Sequence, residues 1–232
     1  MKAVTKVLMT ALSAAGLASS AFAAQVNVVA DITVSTTWTA NNYYNLAGVQ
    51  IYVRNNATLT IEPGVVIASQ DGGSIAVCRG SKIYALGTQD KPIIFTSDDD
   101  LATWAADGTQ PSGKNPKSGT ARVACSEWGN LTVMGEGYIS ENNPALIPLN
   151  DPFPAATNKA NMEGLINGPS TDQYGGGDDD DNSGTIRFVS LRYGGKVVSL
   201  TNELNGLSLG GVGRDTDIHH VEIINNLNAA NE

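Results

Sequence analysis

The chain has 232 residues, 16% of them charged and 6% aromatic, with 25 glycines, two cysteines, two histidines and a formal net charge of −9. An acidic surface disfavours nucleic acid, whose phosphates call for Lys and Arg, and suits a soluble exported protein or one that collects divalent cations. Few aromatics and many glycines fit tight repeated turns better than a packed helical core.

The N-terminus, MKAVTKVLMTALSAAGLASSAFAAQ, carries Lys2 and Lys6, an apolar small-residue run at Val7–Leu17 and an Ala21-Phe22-Ala23 cleavage pattern. That is the layout of a signal peptide, residues 1–23. The run is too short and too rich in Ala, Ser and Gly for a membrane anchor, and no later run is long enough for a transmembrane segment. The mature domain, 24–232, is expected in the periplasm, on the cell surface or in the medium. From Gln25 to Ala57 the pattern is strand-like. Trp38, Tyr43 and Tyr44 suit an N-terminal β cap over about 24–50, which would cover the open end of a stack of strands.

The middle of the chain carries the repeat. Aligning Val53 with Val77 sets Leu59 opposite Ile83 and Ile61 opposite Ala85, a spacing of 24. A further step of 48 sets Ile83 beside Leu131 and Tyr84–Gly87 beside Thr132–Gly135. Short strand-only units at such a period indicate a β-helix solenoid. Pro92 stands at the entrance of the Lys91–Ser97 strand, where no ladder donor is lost. The same alignment puts Cys78 opposite Ser126, one residue from Cys125. A disulfide between Cys78 and Cys125 on neighbouring rungs is therefore expected in an oxidising compartment.

Two polar excursions interrupt the rungs, 98–120 and 138–183. Both are expected to be loop, and the longer one is the place to seek a binding surface. Strand character resumes at Gly184–Tyr193. Strict alternation there puts Ile186, Phe188, Ser190 and Arg192 on one face, and Arg187, Val189, Leu191 and Tyr193 on the other. Asn205–Leu209 and Asp217–Ile224 give two more strands. No segment after the leader has helical periodicity, so the chain reads as all-β. It stops soon after a strand, with no polar cap. Either a partner covers the last rung or the chain is a shortened form of a longer protein, the second being preferred.

Residues able to carry chemistry are few. Asp179, Asp181 and Ser183, followed by Gly184 and Ile186, give the first half of a calcium loop, although Ser190 stands where its final bidentate acid belongs. The plain alternative is a solvated acidic turn. Asp98-Asp99-Asp100 reads as a solubilising corner. His219 and His220 adjoin in a strand and are expected on opposite faces, unable to hold one metal together. Asp217 shares the face of His219, and the two form a weak acid/base candidate.

Several segments, LTIEPGVVI, VCRGSKIYALGTQDKPIIFTSDDD, WGNLTVMG, YGGGDDDDNSGTIRFVSLRYGG and ELNGLSLGGVGRDTDIHHVEIINN, resemble a family of secreted bacterial proteins. Its members are described as right-handed parallel β-helix, pectate-lyase-like-fold exported proteins. The likeness covers nearly all of Thr58–Asn226 in order and spacing. It implies a right-handed single-stranded parallel β-helix with long loop insertions. Family members often continue past VEIINN with paired acids and more rungs, whereas here Ala229-Ala230 follow. Lyases on this fold use a calcium-binding acid cluster with an Arg or Lys base, which makes Arg192 a weak catalytic candidate. The W-x-D-H pattern of pectate lyases and the G-H-G pattern of polygalacturonases are absent from the sequence.

Three functional readings follow. The first is an exported non-catalytic β-helix that binds a polysaccharide or cell-surface glycan. The second is a calcium-dependent polysaccharide lyase or a glycoside hydrolase. The third is a structural fragment that self-associates end to end through its last rung. The first is preferred.

Overall fold

The structure is a computed structural model that describes residues 24–106, 122–140, 158–165, 173–199 and 202–227. Residues 1–23, read above as a signal peptide, and much of both polar excursions lie outside the described residues.

In chain order the strands are β1 (Ala24–Asn27), β2 (Thr36–Trp38), β3 (Asn42–Asn45), β4 (Gln50–Val53), β5 (Thr58–Ile61), β6 (Val66–Ser69), β7 (Ser74–Val77), β8 (Lys82–Leu86) and β9 (Ile93–Ser97). Helix α1 (Asp98–Ala106) follows, then β10 (Leu131–Met134), β11 (Ala160–Asn161), β12 (Gln173–Tyr174) and β13 (Gly184–Arg192). The last strands are β14 (Val197–Ser199), β15 (Asn202–Glu203), β16 (Leu207–Gly210) and β17 (Asp217–Ile224).

Every pairing between coils is parallel, and the chain winds as a parallel β-helix with three faces. Face 1 stacks β2, β5, β8 and the first halves of β13 and β17. Face 2 stacks β1, β3, β6, β9 and the second halves of β13 and β17. Face 3 stacks β4, β7, β10 and β16. The spacing of 24 is observed as read: Val53 pairs Val77, Leu59 pairs Ile83 and Ile61 pairs Ala85.

The core is a set of ladders of like side chains. On face 3 Ile51, Ile75, Leu131 and Leu207 follow one another in register, as do Val53, Val77 and Val133. Alternation along each strand sends these inward and their neighbours outward. Trp38 and Tyr44 stack at 4.5 Å and are buried at the N-terminal end of this core. Tyr43 points outward instead and packs with Trp104 and Leu101. Corners need the left-handed backbone, which Asn and Gly adopt most readily. Asn55 and Asn56 have φ of 62° and 59°, and Gly80 takes the next coil's corner at 74°. A Cβ on Gly80 would stand 2.7 Å from Asn56 Oδ1.

Four expectations are corrected. Leu131 pairs with Ile75 on face 3, not with Ile83, which pairs Gly184 on face 1. The alternating pattern is the same on every face, so it could not tell one face from another across an insertion. The disulfide argued from that register falls with it. Cys78, buried, and Cys125, exposed, are not bonded to each other. Cys78 packs with Tyr52, Ala76 and Met134 on the outer side of face 3.

The excursion from Asp98 begins as helix α1, not as loop. Ser97 caps it, with its Oγ accepting from Asp100 N–H at 3.0 Å, and three aspartates sit in its first turn, where the helix dipole favours negative charge. Lastly, β13 does not keep one alternation. Phe188 has a φ of 47° and turns the corner between faces 1 and 2, so Ile186, Val189 and Leu191 all point into the core. No helix among the described residues is long and apolar enough to cross a membrane.

Candidate functional site

The acidic turn at Asp178–Asp181 is built against the loop after β16. Asp179 Oδ1 accepts from Tyr138 N–H at 2.9 Å, and its Oδ2 lies 3.7 Å from Arg214 Nη2. Asp180 Oδ1 lies 2.8 Å from Arg214 Nε. Asp181 is turned inward and buried, where its Oδ2 accepts from Ser183 Oγ at 2.8 Å. Asp179 and Asp181 thus address different partners, and Arg214 neutralises part of the turn. Among the described residues no group of three or more His, Cys, Asp or Glu side chains is arranged around a metal position.

Arg192 is buried on the outer side of face 2. Its Nε donates to Ser190 Oγ at 2.7 Å, and Nη2 lies 3.5 Å from Glu222 Oε1 on the next coil. Asp217 Oδ2 lies 3.7 Å from His219 Nε2. His219 and His220 do not take opposite faces. His220 has a φ of 53° at the face 1–face 2 corner, directly after Phe188 in the stack, and both rings point outward with their Nδ1 atoms 2.5 Å apart. A strand that turns a corner in a single left-handed residue loses its alternation there.

Two clefts emerge whose linings no sequence motif had brought together. The first lies at the corner between faces 2 and 3, about 290 Å³ in volume, where Asp71, Asp98, Asp99, Glu127 and Lys196 meet. Glu127 is held by both Arg122 nitrogens, Nη1 at 2.8 Å and Nη2 at 2.5 Å, and by Ser97 Oγ at 2.5 Å. That carboxylate raises the Arg122 guanidinium above its ordinary value, so the pair stays charged. Burial pushes the Asp98 carboxyl upward, the Asn45 amide at 2.6 Å pulls it back in part, and Asp99 adds to the rise. Tyr193 lies beneath Arg122, 5.4 Å from ring centroid to guanidinium carbon, and its phenol is raised by burial and by Asp100.

The second cleft is an open groove of about 450 Å³ beside β16. The β11–β12 hairpin folds back over the outer side of face 3, where Met162 and Tyr174 pack on the cluster of Tyr52, Ala76 and Met134. Gly210 makes that seating available, because a Cβ there would stand 2.5 Å from the Tyr174 ring. One wall carries Tyr174, Asn161 and Glu163, and the other Asn205, Ser208 and Ile223. This groove draws on the longer excursion, the segment singled out for a binding surface, but its residues lie up to 62 positions apart in sequence, Asn161 to Ile223. No local motif could have assembled them.

A family model described as pectate-lyase like beta helix domain matches residues 30–137 and 102–232. Neither a curated protein nor a solved structure matches the chain. With three parallel faces wound coil upon coil and a match that spans nearly all of its length, the chain belongs to the pectate-lyase-like β-helix domain family.

Proposed function

We propose that this is an exported β-helix protein that binds a polysaccharide or cell-surface glycan without cleaving it. The groove beside β16 carries the reading. A sugar ring has an apolar C–H face and a rim of hydroxyls, and the groove offers a part-exposed aromatic ring, Tyr174, within a rim of amide, carboxylate and hydroxyl groups from Asn161, Glu163, Asn205 and Ser208. Its size falls in the range of small-ligand sites, and its open form suits a long polymer lying across a coil.

The test is retention of the full chain on a panel of acidic and neutral polysaccharides, with release of new chain ends scored in parallel. The expected result is retention without new ends, weakened about two- to tenfold by Tyr174→Ala, in line with the loss of one stacked aromatic. Retention that Tyr174→Ala leaves unchanged would remove the groove from the proposal.

A second reading, hydrolysis, is favoured by Asp98 in the corner cleft, a carboxyl raised by burial among further carboxylates, as a general acid needs to be. New chain ends that vanish in Asp98→Asn would establish it over the first. Calcium at Asp179, Asp181 and Ser183 rests on their spacing. A rise in the thermal midpoint of chelator-treated protein on adding calcium, absent in Asp181→Asn, would support it.

A further inference from the structure

We infer that the corner formed by His219 and His220 is a binding site for a divalent transition-metal ion, taken by the two imidazole Nδ1 atoms. Three observations lead there. First, the left-handed φ of 53° at His220 breaks strand alternation and brings both rings to the outer side, their Nδ1 atoms 2.5 Å apart. Ligand atoms bound at about 2.0–2.1 Å to one ion stand roughly 3 Å apart, so a small opening of the pair admits a metal. Second, the rings are braced. His220 stacks on Phe188 at 4.4 Å and 22°, and Phe188 meets His219 edge-on at 6.2 Å and 82°. Phe188 turns the preceding coil's corner as His220 turns this one, so the brace is part of the ladder. Third, Asp217 Oδ2 lies 3.7 Å from His219 Nε2. That distance is too long for a hydrogen bond, but the negative charge of the carboxylate favours the proton on Nε2, which leaves the Nδ1 lone pair facing its neighbour.

With His219 carrying its proton on Nε2, the metal-free contact is a hydrogen bond that His220 Nδ1–H donates to His219 Nδ1. With metal, the His220 proton moves to its own Nε2 through solvent, both Nδ1 lone pairs turn to the ion, and water completes the coordination. Two neutral imidazoles on an exposed corner suit Zn²⁺, Ni²⁺ or Cu²⁺ rather than calcium or magnesium, which prefer oxygen ligands. Arg187 pairs with His219 across the ladder and places a positive charge on the same face, which weakens the site.

These are the only two histidines in the sequence, so the pair can be tested on the full untagged chain without competing imidazoles. Titration calorimetry with Ni²⁺ should show one ion per chain. Either His219→Ala or His220→Asn should weaken binding at least tenfold, with Asn chosen because it tolerates the left-handed backbone. Asp217→Asn should weaken it by about tenfold, at the low end of the range for a group behind the ligand, and Arg187→Gln should strengthen it. Absence of Ni²⁺ binding would overturn the proposal. So would binding that survives either histidine substitution, or that is lost instead in Cys125→Ser, which would assign the metal to the exposed thiol.

Discussion

At the scale of single residues, Asp98 shows how packing sets a charge. Its carboxyl is half in solvent, bonded to Asn45 and crowded by Asp99, and burial raises it from its ordinary value of 3.8. A raised acid binds its proton more tightly in the folded state, so its contribution to stability falls as pH rises from 3.8 through the raised value. Asp98→Asn removes that dependence and should make the protein slightly more stable at neutral pH, by less than about 1 kcal/mol given its exposure. Urea unfolding of both proteins across acidic to neutral pH checks it. A difference that grows toward low pH would mean the opposite sign. Gly184 poses a stricter constraint: its φ is 115°, and a Cβ would stand 1.9 Å from Ile83 O on the preceding coil. Gly184→Ala should cost about 3 kcal/mol from backbone strain and the forced separation of β13 from β8, read as a lowered urea midpoint.

At the scale of elements, α1 is held less by its own sequence than by what surrounds it. Ser97 caps the first turn and also donates to Glu127, and Thr96 Oγ1 donates to the buried Asp100 carboxylate at 2.6 Å. Trp104 is 2% exposed and packs on Val66 and Ile94, covering the outer side of face 2. Ser97→Ala should cost about 1–2 kcal/mol and Trp104→Ala about 3–5 kcal/mol in denaturant unfolding. The parallel pairing of β6 with β9 should persist, because its ladder bonds do not pass through the helix. Nine residues with one deeply buried aromatic carry too little amphipathic signal to be read as a helix from sequence, and isolated segments of this length do not hold helix in water.

At the scale of the molecule, stability is shared between neighbouring coils. Ile75 is fully buried between Ile51 and Leu131 in the face 3 ladder. Ile75→Ala should cost about 2–5 kcal/mol, the range for a large aliphatic side chain lost from a packed core. In a solenoid that loss acts chiefly on adjacent coils, so amide exchange should accelerate in β4 and β10 more than in β1. Uniform acceleration over every coil would mean that the stack opens as one unit. The long insertions all leave at corners: after β9 and after β13 between faces 2 and 3, and after β10 between faces 3 and 1. Ladders inside the stack stay intact while loops vary around it, and both clefts form where those loops return to the coils.

The sequence by itself determined that this chain is a stack of short parallel strands, and its spacing of 24 set the pairing of β4 with β7 and of β5 with β8 to the residue. Local alternation and corner residues carry that information because each strand must send every second side chain inward. Only the tertiary structure decided which face a strand joins once an insertion interrupts the count, as Leu131 shows. It also decided where alternation breaks, because the left-handed bends at Phe188 and His220 leave no mark in the hydrophobic pattern. The groove at Tyr174 and the carboxylate cleft at Glu127 belong to the same class. They join residues that are distant along the chain and adjacent only because the coils stack.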